Sequence, residues 1–228
     1  MTHEQPALLI CIYTCDVHEC FHEEFWKSRI GKYLNSFDNA RQIHVFADPT
    51  LSESGLENGR LTVDTNEAYS NLCLKTYKMI QHCSNELPFD FLLKMDVTSG
   101  IQSMNLNPAI ANRVADEQVM LNHLENLKNS LGNEEITHYT GWKQINANQA
   151  GVERWAGLKS LEIDYKKLLG GAEFQLYYSG KCYTISQQFA KFICEHGEAL
   201  AHAHTRYLPG SEDMMVGRLY EHFKASVI

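Results

Sequence analysis

Two acidic positions in this chain stand where chemistry could be done. The apolar run Phe89-Asp90-Phe91-Leu92-Leu93-Lys94-Met95 ends abruptly at Asp96, followed by Val97-Thr98-Ser99-Gly100. A short buried strand that stops at a carboxylate delivers that acid to the carboxyl edge of a sheet, where open α/β folds bind ligands. Far downstream, Glu212-Asp213 stands at the predicted start of a helix. A carboxylate beside an acceptor hydroxyl can take its proton as a general base, and Asp213 is the candidate. Each acid also has a plainer reading. A strand-end Asp serves turns, and acids in the first turn of a helix answer its dipole and cap free amides.

Asp96 is half of a D-x-D pattern. Enzymes that bind nucleotide-sugars place such acids there, one toward the ribose and one on a divalent metal that bridges the diphosphate and neutralises the leaving group. Two residues on, this chain has Thr98, a weaker metal ligand. The run Cys15-Asp16-Val17-His18-Glu19-Cys20-Phe21-His22 has neither the Cys-x-x-Cys nor the paired-His spacing of a zinc site, and no second cluster completes four ligands. His202 and His204 read equally well as a solvated helix end. There is no Gly-x-Ser-x-Gly, no Walker lysine loop and no G-x-G-x-x-G after the first strand. Ordinary hydrolase, P-loop and dinucleotide-dehydrogenase chemistry therefore lose ground.

The elements that must position these acids follow from periodicity. Residues 7–13 read as a buried first strand. A helix over 21–37 carries Phe25, Trp26, Ile30, Tyr33, Leu34 and Phe37 at three- and four-residue spacing. Residues 42–47 form a second strand and 50–59 a loop. Asp64-Thr65-Asn66-Glu67 offers a capping box that opens a helix running to about Cys83, before the strand ending at Asp96. This alternation predicts an α/β domain with a mostly parallel, Rossmann-like sheet flanked by helices. Beyond it, Asn107-Pro108 precedes a long amphipathic helix over 109–131, ended by Gly132. Residues 146–157 read as a mobile loop, and Gly170-Gly171 as a turn before the aromatic segment 174–178. Residues 183–185 suggest a strand, Ser186 the cap of a helix to about His196, and 211–223 a last helix.

At 228 residues the chain suits one large α/β domain and does not require two. Twenty Lys and Arg against 28 Asp and Glu give a formal charge of −8, which argues against a nucleic-acid partner but not against a small nucleotide. No stretch approaches the ~20 apolar residues of a membrane span. The polar, acid-bearing start Met1-Thr-His-Glu-Gln-Pro6 does not read as a signal peptide. Seven cysteines cannot all pair and read as reduced thiols, so a cytoplasmic location is expected.

Several segments, in this order, resemble the β-1,3-galactosyl- and N-acetylglucosaminyltransferase family, relatives of the fringe enzymes. Glu67-Ala-Tyr69-Ser-Asn71-Leu72-Cys-Leu74-Lys75-Thr76 is similar to that family's E-x-Y-x-N-L-x-x-K-T helix, and residues 91–98 to its strand ending in K-x-D-D-D. Tyr139-Thr-Gly141 and Tyr177-Tyr-Ser-Gly180-Lys-Cys-Tyr183-Thr-Ile-Ser186 look like its Y-x-G and Y-x-x-G-x-x-Y-x-x-S elements. Glu212-Asp213-Met-Met-Val216-Gly217 resembles E-D-V-x-V-G, so the likeness spans about residues 60–220.

The resemblance implies a single GT-A-type nucleotide-binding domain over 1–228, with a donor-binding half of about 7–105 and an acceptor and catalytic half of about 106–228. It implies inverting transfer of a hexose or N-acetylhexosamine from a UDP-sugar to a hydroxyl of a glycan or glycolipid acceptor, forming a β-1,3 linkage. Carried over, Asp213 is the catalytic base and Asp96 the first acid of the metal motif. Tyr178, Ser179 and Gly180 wall the sugar pocket, and Tyr13, Thr14 and Cys15 face the nucleotide base. Lys75, Thr98, Lys181 and Glu212 complete the donor site. Mn²⁺ or Mg²⁺ would bind near Asp96, with His222 standing in for the family's metal-binding His; without a metal, basic side chains such as Lys181 would neutralise the diphosphate. The departures are Val97 and Thr98, where the family has acids. They leave two rivals, a non-catalytic nucleotide-sugar-binding pseudo-transferase and a nucleotidyltransferase. No transmembrane segment is expected, and peripheral membrane contact stays open.

Overall fold

The computed structural model of the chain describes residues 7–99, 111–131, 137–146, 148–169 and 176–227. The first strand, β1 (Leu8–Tyr13), is buried along its whole length and divides the core. Leu9, Cys11 and Tyr13 pack into one layer, while Leu8, Ile10 and Ile12 pack into the other. A strand apolar on both faces belongs inside a sheet covered on both sides.

A 3₁₀ turn over Asp16–Phe21 follows, then α1 (His22–Lys27) and α2 (Arg29–Leu34). The single helix expected over 21–37 is broken at Ser28, which is extended (φ −66°, ψ 166°) and accepts the Gly31 N–H at 3.1 Å. Its cap restarts the helix in a new direction. The strand β2 (Ala40–Ala47) comes next. The expected loop then holds half of a hairpin, β3 (Gly55–Glu57) with β4 (Arg60–Val63). Asn58 and Gly59 both take positive φ, 49° and 79°, the Asn-Gly signal of a tight turn.

The capping box at residues 64–67 does not form. Helix α3 (Leu72–Glu86) begins eight residues after Asp64, behind a 3₁₀ turn at Tyr69–Asn71. Asp64 is instead bonded by Lys78 and, at 2.6 Å, by the Ser54 hydroxyl, and Glu67 is bonded by Lys75. Partners across the fold take both side chains from their local role.

Then come β5 (Phe91–Asp96), α4 (Ala111–Ser130), β6 (Tyr139–Gly141) and β7 (Gln144–Asn146). Residues expected to form a mobile loop instead build α5 (Gln149–Leu158), whose cap Asn148 accepts the Gly151 N–H at 2.8 Å. The chain continues through α6 (Tyr165–Leu169), β8 (Leu176–Tyr178), β9 (Cys182–Ser186), α7 (Gln187–His196), α8 (Glu198–Tyr207) and α9 (Glu212–Val227). Ser186 caps α7 as expected, accepting the Phe189 N–H. Asn107-Pro108, Gly132, Gly170-Gly171 and the division at 105/106 lie outside the described residues.

Among the described residues, seven strands form one sheet in the order β3-β4-β2-β1-β5-β9-β6. β4, β2, β1 and β5 run parallel through its middle, and β9 runs against both β5 and β6. The α/β architecture and mostly parallel sheet expected from the sequence are therefore present. Residues of α3, α7 and α9 cover one face, and those of α1, α2 and α4 the other. No helix among the described residues is long and apolar enough to cross a membrane.

Candidate active site

The site begins with a lysine. In β5, Lys94 is 1% exposed within a strand whose other side chains are apolar until Asp96. An ammonium taken out of water demands partners. It finds Asp96 Oδ1 at 2.6 Å, Glu212 Oε1 at 3.3 Å and the Gly180 carbonyl, with the Tyr13 ring 4.5 Å away. Each partner comes from a different element. Register pairs Tyr13 of β1 with Asp96, and Lys94 with Tyr183 of β9. Burial works against the charge on Lys94, but Asp96 and Glu212 outweigh it and raise its pKa.

Helix α9 brings the acidic pair to the same corner. Its start is pinned by Ser211, whose hydroxyl donates to the Leu208 carbonyl at 2.5 Å and lies 2.8 Å from His204 Nδ1. His204 is thus not part of a solvated helix end: it is 2% exposed, and burial lowers its pKa to about 3. His202 is exposed, within α8 rather than at its end. Gly180 lies so close to α9 that a Cβ there would collide with Glu212 Oε1, so a side chain at this position would force the carboxylate or the turn to move.

The two neighbouring acids have separate fates. Glu212 is buried and tied to Lys94; burial raises its pKa and the ammonium opposes that shift. Asp213 accepts the Gly180 N–H at 3.0 Å and the Met214 N–H at 2.9 Å. Burial, followed by the charge of Glu212, pushes its pKa up to about 7 despite these two donors. A carboxyl group so poised exchanges a proton near neutrality.

A cavity of about 1010 Å³ opens over this corner. Of the residues expected from the sequence, Asp96, Thr98, Ser179, Gly180, Lys181, Glu212 and Asp213 line it together. Tyr13, Thr14, Cys15, Lys75 and Tyr178 are not in its lining. The Tyr13 and Thr76 hydroxyls lie 2.8 Å apart, and Lys75 donates to the Thr14 carbonyl at 2.5 Å and to Glu67. These bonds brace the exit of β1. Tyr177 replaces Tyr178 at the cavity because side chains alternate along β8, and Tyr178 packs on the Tyr139 ring instead. His222 is exposed on α9, nine residues beyond Asp213 and therefore about 13 Å along the helix on its other side.

The remaining wall was not expected from the sequence. Helix α5 supplies Val152, Arg154 and Trp155, with Lys159 just after it, and Tyr69 joins them from before α3. The Tyr69 and Trp155 rings are 6.4 Å apart, with the Lys159 ammonium 4.8 Å from the Tyr69 ring. Gly210, at φ 76°, lets the Tyr69 ring approach: a Cβ there would lie 2.5 Å from it. Lys94 was missed as well, although a lone lysine among core residues of a strand is itself a sign of a buried counter-charge.

The donor set does not suit a divalent metal. Asp96 is held by Lys94, Val97 is buried and apolar, and Thr98 offers a neutral hydroxyl. Among the described residues no three His, Cys, Asp or Glu converge to hold an ion, and His222 is not brought to Asp96.

Residues 46–228 match the family model described as Galactosyltransferase. No curated protein matches the chain.

Proposed function

Because the chain belongs to the galactosyltransferase family, and so is a glycosyltransferase, we propose that it moves a hexose or N-acetylhexosamine from a UDP-sugar to a glycan or glycolipid hydroxyl. Transfer proceeds with inversion to a β-1,3 linkage, and Asp213 is the general base. One observation carries this reading: of two adjacent acids, Lys94 claims Glu212 and leaves Asp213 facing the cavity with a pKa near 7.

The acceptor O–H gives its proton to an Asp213 carboxylate oxygen as its own oxygen bonds to the anomeric carbon. The bond from that carbon to the diphosphate oxygen breaks, and its electron pair leaves with UDP. The Gly180 and Met214 N–H groups keep the carboxylate aimed throughout the transfer. Tyr69 and Trp155 offer their ring faces to the acceptor sugar, a role suited to flat, rigid side chains beside the base.

The test is a panel of UDP-sugars and glycan acceptors, with the anomeric configuration of the product read by NMR. Asp213→Asn is expected to lower kcat by about 10²–10⁴ while UDP affinity holds. Turnover that survives the substitution, or a product of retained configuration, would sink the assignment.

A further inference from the structure

A diphosphate leaving group needs its charge answered, and this cavity holds side chains able to do so. The acid at the strand end is occupied: Lys94 bonds Asp96 at 2.6 Å, and the Asp96 N–H donates to the Lys181 carbonyl at 3.0 Å. Three cations line the same cavity. Arg154 and Lys159 come from α5 and its C-terminal cap, and Lys181 follows Gly180. All three are exposed, and none forms an ion pair with a described residue, although the net charge of the chain is −8. Three such cations gathered around one cavity are suited to an anionic ligand.

The charge balance agrees. Lys94, Asp96 and Glu212 together carry one net negative charge, so the three cations leave an excess of about two positive charges before Asp213 is counted. A nucleotide-sugar diphosphate carries about two negative charges at neutral pH. The guanidinium of Arg154 can take two phosphate oxygens at once, and the lysines act as point charges.

We infer that Arg154, Lys159 and Lys181 bind the donor's diphosphate in place of a divalent cation, an inference that rests on the UDP-sugar reading above. The same charges that bind the donor also stabilise the negative charge gained by UDP as it departs.

Titration calorimetry with UDP, on metal-stripped protein in EDTA and again with added Mn²⁺, tests this. UDP affinity in EDTA is expected within about twofold of that with Mn²⁺, because no ion completes the site. Arg154→Gln, Lys159→Gln and Lys181→Gln should each weaken UDP binding about three- to tenfold, and the triple variant about 30- to 1,000-fold. Because all three side chains are exposed, the variants should melt with the wild type, so a loss of binding is not a loss of fold. UDP that binds only with Mn²⁺, or a triple variant with wild-type affinity, would overturn the inference and leave the donor reading standing. UDP that binds under neither condition overturns both.

Discussion

The two sides of the cavity are built on opposite plans. At the sheet edge, Lys94 and Glu212 are nearly sealed from solvent, at 1% and 5% exposed, and Lys94 is paired with both Glu212 and Asp96 inside the protein. On the α5 side, Tyr69, Arg154 and Lys159 stand in the open. Buried charges are fixed in position and shift the pKa values of their neighbours strongly. Exposed ones contribute little to folding and keep their capacity for a ligand. On the proposed reading, one side sets protonation and the other meets substrate. Substitutions at the edge should be felt in stability, and those on the wall in KM.

Removing Lys94 tests the first half hardest. Lys94→Met leaves Glu212 buried without its counter-ion, which is expected to destabilise the fold by about 3–5 kcal/mol. At this chain length that is a fall in Tm of about 6–20 °C. Adding Glu212→Gln to the same chain should recover much of the loss, since the stranded charge goes with it. A Lys94→Met protein that melts with the wild type would erase the distinction between the two sides. Gly180→Ala comes next. The new methyl group meets Glu212 Oε1, so either the carboxylate or the turn must move, at about 1–3 kcal/mol, with kcat falling as the Asp213 carboxylate loses its aim. Thermal melting and steady-state kinetics on one preparation read both effects.

How much of this could be read in the chain depends on whether a feature is local. Asp96 and Asp213 were legible because each ends or begins an element abruptly, and α7 because Ser186 caps it from the adjacent position. The capping box at Asp64 was equally local, yet Lys78, 14 residues away, claims that carboxylate. Helix α5 was hidden because Gly151 and Gly157 dilute its pattern and only Val152 and Ala156 are buried. The antiparallel β9 was not foreseeable from the strand–helix alternation of the first 96 residues, because it follows β8 without a helical crossover. The partners of Lys94 come from positions 96, 180 and 212, and no window of sequence holds all three.

The acidic pair carries the comparison into pH. Asp213 has a folded pKa of about 7, raised from 3.8 by burial and then by Glu212, so the fold prefers its protonated form. Its contribution to stability is full below about pH 4 and is lost as pH rises through about 7. Asp213→Asn keeps the neutral form at every pH. The variant's Tm is therefore expected to gain on the wild type between pH 5 and pH 8, by about 5–10 °C. In the wild type, transfer should rise over the same range as the base is uncovered. A Tm difference that stays flat with pH would mean that Asp213 is not strained by its site.

The smallest effect is expected on the open wall, and it separates recognition from architecture. Tyr69 belongs to neither large core cluster, and its ring leans on Gly210 and faces Trp155. Tyr69→Leu removes the aromatic face but keeps an apolar side chain of similar reach. Stability should change by no more than about 0.5 kcal/mol, as for other exposed positions. The acceptor KM should rise about three- to tenfold, the equivalent of one aromatic contact, while kcat is unchanged. Tyr69→Phe keeps the ring and should restore the wild-type KM. If Tyr69→Leu lowered kcat instead, the ring would be acting on Asp213, and the two sides of the cavity would be one catalytic unit rather than a fixed edge and a binding wall.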